Sequence, residues 1–295
     1  MTLSSEEQSA KTDRRARVEI GCQGWNYEDW VTPPGSPRPV FYPRGTRPAA
    51  MLDVYARAFQ TVEVDSTFYA VPTASTVEGW KKRTPAGFTL SLKLPQEITH
   101  RQALQGRMAA RVLSEFCERA RLLDEKLAAV LVQLPPQFEA TPENRRALRE
   151  FLPLLPRDIR FGIEFRAPQW FDENTFELLA RRPNVSPALV EGPWVARERV
   201  WRAAEELTAT NGFAYVRWMG GRDITRFHSV VRPQDENLSD WAAVIEQLRG
   251  RVGVVYACFS NFYEGHAPAS ANKLKRLLGQ TVVEPGELED QPSLF

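Results

Sequence analysis

The stretch Phe161-Gly162-Ile163-Glu164-Phe165-Arg166 separates two kinds of residue. In an extended chain Phe161, Ile163 and Phe165 share one face, while Gly162, Glu164 and Arg166 share the other. The same alternation recurs elsewhere. In Thr61-Val62-Glu63-Val64-Asp65 the valines lie on one side, with Glu63 and Asp65 opposite; in the segment 88–94 the leucines oppose Thr89, Ser91 and Lys93. A strand with one apolar face and one charged face suits a barrel, where helices cover the outside and the charges line the lumen near its mouth.

Hydrophobic periodicity predicts strands at 18–23, 61–65, 88–94, 128–134, 161–166, 185–191, 213–219 and 252–261. Helical spacing falls between them at 48–59, 75–83, 101–123, 142–152, 172–180 (with Asp172 as cap), 239–248 and 270–278, with a less regular piece over 194–207. About eight strand–helix units predict a single (β/α)8 TIM barrel. An open doubly wound sheet is the competing arrangement. The turn Gly21-Cys22-Gln23-Gly24 lacks the further glycine of a dinucleotide fingerprint, however, and no phosphate-loop lysine motif is present. The expected organisation is a disordered N-terminal tail over 1–16, the TIM barrel over 17–280, and a flexible acidic tail over 281–295.

Composition narrows the function classes. A chain of 295 residues with 43% hydrophobic positions can bury a large core, and a net charge of +1 advertises no polyanion partner in bulk. No apolar run is long enough to span a bilayer, and the polar N-terminus does not read as a signal peptide, so a cytoplasmic protein without membrane contact is expected. Cys22, Cys117 and Cys258 have no paired spacing and are expected as reduced, buried small hydrophobes. No dinucleotide or pyridoxal signature implies an organic cofactor, although Lys93 leaves imine chemistry open.

The inward positions near strand C-termini carry the candidate chemistry, because TIM barrels act at that end. Lys93, Arg166 and Arg217 offer donors to a phosphate or carboxylate, with Glu63 or Glu164 as general base or acid. Gln133 and Asn261 end two further strands as substrate-binding candidates. Trp25, Tyr27, Phe68, Tyr69, Trp170 and Tyr263 follow strand ends, either as stacking platforms, Trp25 and Tyr69 foremost, or as packing between loops and barrel. Glu63, Asp65, Glu164 and Glu191 supply carboxylates for Mg or Mn, with His100 and His266 just past strand ends; three histidines are too few for a zinc cluster. The alternative is an internal salt-bridge lattice that only fills the lumen.

Several blocks together resemble the domain of unknown function 72 family, also called YecE-like. They are Gly21-Cys22-Gln23-Gly24-Trp25-Asn26-Tyr27, the run 61–69, Lys93-Leu94-Pro95 with Ile98-Thr99-His100, Gln133-Leu134-Pro135-Pro136, Glu164-Phe165-Arg166 with Trp170, Tyr215-Val216-Arg217, and 261–268. The resemblance implies a (β/α)8 barrel and no settled reaction. Measured against the family pattern, Asp65 replaces the usual Asn and Glu191 the usual Asp. Met219 and Phe262 stand where histidines are frequent, which removes two ligands of a histidine-based metal site.

Three functions compete: an enzyme acting on a phosphorylated or nucleic-acid substrate (a phosphodiesterase-like hydrolase), a sugar or small-acid metabolic enzyme, and a non-catalytic binding module. The terminal Gln291-Pro292-Ser293-Leu294-Phe295 bears on the choice. It resembles the pentapeptide by which bacterial replication and repair proteins hold the DNA sliding clamp, with Pro292 in place of the commoner Leu. That resemblance implies polar contacts from Gln291, an apolar pocket filled by Leu294 and Phe295, and a barrel held near nucleic acid.

Overall fold

The computed structural model describes residues 15–207 and 212–289. Eight parallel strands close in sequence order: β1 (Arg17–Gln23), β2 (Thr61–Val64), β3 (Thr89–Lys93), β4 (Leu127–Gln133), β5 (Phe161–Glu164), β6 (Val185–Glu191), β7 (Phe213–Trp218) and β8 (Val254–Phe259). Pairing of β1 with both β2 and β8 closes the ring. Around it run α1 (Pro48–Ala58), α2 (Ala74–Lys82), α3 (Gly106–Arg121), α4 (Pro142–Phe151), α5 (Glu173–Ala180), α6 (Arg197–Leu207), α7 (Asp235–Leu248), the short α8 (Asn261–Glu264) and α9 (Ala267–Leu277). This is the expected TIM barrel.

The alternation sorts the core into two compartments. Val62, Val64, Leu90, Leu92, Ile163 and Val216 point outward into the main apolar cluster beneath the helices. Ala129, Leu131, Ala188, Phe213, Tyr215 and Tyr256 form a separate apolar cluster in the lumen. Local caps follow the sequence: the Thr73, Thr141 and Asp172 side chains accept N–H bonds from Thr76, Asn144 and Thr175 at the starts of α2, α4 and α5. Two buried lysines serve helix C-termini. Lys126 Nζ donates to the Lys81 and Thr84 carbonyls at 2.7 and 2.5 Å, and Lys275 Nζ to the Ala58 carbonyl at 3.0 Å.

Three boundaries differ from expectation. The helix expected over 101–123 is split: Glu97–Arg101 form a π-helical turn, positive φ at Ala103, Leu104 and Gly106 breaks the path, and α3 begins only at Gly106. Arg166 lies just past β5, which ends at Glu164. The expected free tail over 281–295 is folded through residue 289: Pro285–Leu288 form a helical turn closed by a Glu284/Glu287 capping box, and Leu288 is buried in the main core. A buried leucine anchors this stretch to the barrel. Gln291, Leu294 and Phe295 lie outside the described residues. No helix among the described residues is long and apolar enough to cross a membrane.

Gly21 sets the approach of β1 to β2. A Cβ there would stand 2.0 Å from the Thr61 carbonyl oxygen and 2.8 Å from the Tyr55 hydroxyl, which bonds Cys22 N–H and the Thr61 carbonyl. Backbone cannot yield as a flexible side chain does. Gly21→Ala is therefore expected to cost about 3 kcal/mol or more, read as a lowered denaturant midpoint; an unchanged midpoint would show that the two strands separate freely.

Candidate active site at the barrel mouth

The C-terminal ends of β2, β5 and β7 meet through Arg217, whose side chain is 2% exposed. Its Nε and one Nη donate to Glu63 at 2.8 and 2.6 Å as a fork, and the other Nη donates to Glu164. The Tyr215 hydroxyl adds a 2.9 Å bond to Glu63. Arg166 Nε donates to the remaining Glu164 oxygen at 2.5 Å. Two glutamates and two arginines thus form a balanced network across the lumen. Burial alone would push the Glu164 carboxyl up, but Arg217, Arg166 and Lys93 outweigh it and hold the group below the ordinary glutamate range.

This geometry reassigns the expected acid/base pair. Glu63 and Glu164 are fully buried and bound to arginine, so neither is placed to touch a substrate. Their work is to fix guanidinium groups, which makes them positioning residues; to that extent the lattice reading describes the inner ring. Arg217 is consumed by the same network. The expected trio of free cations therefore reduces to Lys93 and Arg166.

Lys93 ends β3 and is half-buried, and its Nζ lies over the Phe68 ring, 4.0 Å from the centroid. Among the described residues no carboxylate or carbonyl holds this ammonium. Burial, followed by the charges of Arg217 and Arg166, brings its pKa down to about 8 against the pull of Glu63 and Glu164. Arg166 stacks on Trp194, 3.8 Å from ring centroid to guanidinium carbon, and its Nη groups enter no ion pair among the described residues. Asp65 and His100 complete the mouth. Lost hydration and the charge of Glu63 raise the Asp65 carboxyl, with Lys93 opposing. Burial, Lys93 and Arg166 lower the His100 imidazole, so it is neutral at pH 7.

Other sequence candidates are spent on the fold. The Asn261 side-chain Oδ1 accepts from Trp30 Nε1 at 3.1 Å and Ala267 N–H at 3.0 Å, linking the turn after β8 to its neighbours. Gln133 is buried, level with Glu164 in the sheet. Glu191 is held by Arg197 at 3.0 Å and Trp241 Nε1 at 2.8 Å. Trp25 packs edge-on against Trp80, and Trp170 stacks between Phe138 and Phe165, so both tie loops to the barrel. Tyr27 and Tyr263 direct their hydroxyls to the Gln23 carbonyl and to Asn237. Tyr69, 74% exposed, and Phe68 remain as stacking surface. Trp194 was not foreseen; its signal is a tryptophan three residues after the end of β6.

Among the described residues no group of three His, Cys, Asp or Glu side chains could hold a metal ion. His266 is buried, with its pKa driven down to about 4, chiefly by burial. Cys22, Cys117 and Cys258 are buried free thiols, as expected. A depression of about 700 Å³ lined in part by Leu127, Arg160, Asn184 and Phe213 sits where the strands begin, the end opposite the mouth charges.

The family model for Protein of unknown function DUF72 matches residues 19–293. This chain belongs to the DUF72 family. The DUF72 chain is 28% identical over 282 residues to the UPF0759 protein YunF of Bacillus subtilis, covering 88% of this chain and 94% of that protein. It is 27% identical over 242 residues to the UPF0759 protein YecE of Escherichia coli K12, covering 76% and 82%. Among solved structures, a DUF72 family protein from Thermotoga maritima superposes with a TM-score of 0.70 at 24% identity, covering 90% of this chain and 100% of that one. One from Enterococcus faecalis gives a TM-score of 0.68 at 19% identity, covering 91% and 100%. Both share the fold of the DUF72 barrel.

Arg217→Ala leaves two carboxylates buried without their central cation, and the expected loss is about 3–5 kcal/mol at pH 7, measured by denaturant unfolding. The sign with pH follows from Glu164. In the native chain its depressed pKa contributes stability that is present above 4.5, the unfolded value, and is lost as pH falls through the folded value. In the variant, protonation relieves the buried charge instead. The gap between the two proteins should narrow below pH 4.5; a constant gap would count against the network.

Proposed function

We propose that this barrel is an enzyme acting at its C-terminal face on a phosphorylated or nucleic-acid substrate, by hydrolysis of a phosphoester or a related step. The observation that carries this reading is the pair of cationic groups at the mouth, the Lys93 ammonium, which no carboxylate among the described residues holds, and the Arg166 Nη donors left open by the Nε bond to Glu164, beside the exposed ring of Tyr69. Exposed arginines on two loops of the same face extend the positive field: Arg38, Arg44 and Arg47 after β1, and Arg222 and Arg226 after β7. A phosphate would take forked donors from Arg166 and a point charge from Lys93, while a base or sugar ring stacks on Tyr69. Asp65 and His100, whose charges interact with Lys93, are the candidates for proton transfer. A divalent Mg or Mn ion would have to be shared with the substrate, since the protein carboxylates are largely engaged.

Fluorescence anisotropy with a labelled single-stranded oligonucleotide, and calorimetry with inorganic phosphate, test the reading. Arg166→Ala and Lys93→Ala should each weaken binding about tenfold with the circular dichroism spectrum unchanged. Turnover is screened with phosphodiesters, phosphomonoesters and sugars, with and without Mg or Mn. Activity on unphosphorylated sugars alone would favour a metabolic enzyme; a native chain that binds neither anion would sink the proposal.

Recruitment belongs to the same reading. Gln291, Leu294 and Phe295 are proposed to engage the DNA sliding clamp, which would concentrate a near-neutral barrel on nucleic acid. A pull-down with the host's clamp should retain the intact chain and lose the Leu294→Ala/Phe295→Ala variant. Equal capture of both, or of neither, removes the clamp from the picture.

A further inference from the structure

The lysines of this chain divide by what holds them. Lys126 and Lys275 are buried, and their ammonium groups are committed to backbone carbonyls. Lys273 pairs with Glu264 and Asp235, and Lys81 with Asp124. Lys93 is half-buried and has no such partner among the described residues, although its backbone is pinned: the Thr67 hydroxyl donates to its carbonyl at 2.8 Å and accepts its N–H at 3.0 Å. A fixed stem that brings an amine to the C-terminal end of a barrel strand, with the Phe68 ring beneath it and no ion pair or carbonyl among the described residues, suits a reactive group. Two neighbouring arginines and partial burial also favour the neutral, nucleophilic form near pH 8.

We propose that Lys93 is a nucleophilic amine that forms an imine with the carbonyl carbon of a phosphate-bearing aldehyde or ketone held at the barrel mouth. The inference rests on the anion-binding reading above, with Arg166 taking the phosphate. The nitrogen lone pair attacks the carbonyl carbon, and the C=O π electrons move to oxygen, which takes up a proton. The nitrogen gives up a proton to His100 or Asp65, leaving a carbinolamine. Protonation of its hydroxyl expels water, the C–O bond breaks, and the C=N bond forms with loss of the second nitrogen proton. Atoms balance as amine plus carbonyl compound giving imine plus water. Two sources share this chemistry, a free sugar phosphate and the open-chain sugar of an abasic nucleotide.

Reductive trapping tests this on the full chain. Purified protein is mixed with glycolaldehyde phosphate and borohydride, and the adduct is located by peptide mass spectrometry. The peptide carrying Lys93 should label at least tenfold faster than the one carrying exposed Lys82, at a rate rising with pH around a midpoint near 8. Unphosphorylated glycolaldehyde should react at least tenfold more slowly. Lys93→Arg, which keeps the charge and has its melting temperature checked, should abolish the fast phase. A parallel arm with an abasic oligonucleotide identifies the source, the faster substrate being the physiological class. Labelling spread evenly over exposed lysines, or unchanged in Lys93→Arg, overturns the proposal even where phosphate binds normally, and anion binding then stands without it. Equal trapping of both glycolaldehydes overturns the phosphate requirement, and with it the proposal as stated.

Discussion

The Arg217 guanidinium is the point on which the upper half of the barrel depends. Removing one arginine and two glutamates from water is costly, and only close, forked geometry offsets that cost. Each surrounding feature serves that geometry. Tyr215 adds a donor to Glu63, and its ring fills the space left by the missing side chain of Gly162, where a Cβ would sit 3.4 Å away. Arg166 neutralises the second face of Glu164 and is itself steadied by Trp194. The charge on Lys93 is suppressed by the same arginines. The network thus shapes the mouth without occupying it.

Inner ring and rim divide the work between fold and chemistry. In the inner ring Arg217, Glu63 and Glu164 are buried, each with an opposite charge in contact. At the rim Lys93 and Asp65 interact through space and Arg166 is paired through its Nε alone, with solvent or a ligand left to complete their contacts. Such incompletely paired charges cost stability, and functional sites are where that cost is tolerated.

Much of the fold was legible because alternation in a parallel barrel is unforgiving. Val62, Val64, Leu90 and Leu92 cannot exchange faces with Glu63 and Ser91 without burying charge among the helices. Boundaries set by backbone dihedrals were harder to read: nothing in Ala103-Leu104 announces positive φ, so the helix over 101–123 was drawn through the break. Alternation turns Glu63, Glu164 and Arg217 toward the lumen, but it does not say which cations are neutralised, since partners on β2 and β7 stand 154 residues apart. Trp194 escaped for a similar reason, as its contact with Arg166 joins two loops that sequence does not relate. Leu288 looked like part of a tether because a single apolar residue in an acidic stretch has no period to betray its anchor.

The position of Arg217 has a consequence for assembly. Divided between β4 and β5, the barrel gives one half with Glu63 and another with Arg217, Arg166 and Glu164. The first half would bury a carboxylate with no guanidinium to receive it; the second would hold two guanidinium groups against one carboxylate. Neither fragment holds the whole network, since the fork between Arg217 and Glu63 spans β7 and β2. Closure and neutralisation are then one event, completed only when the seventh strand takes its place beside the eighth and reaches back to the second.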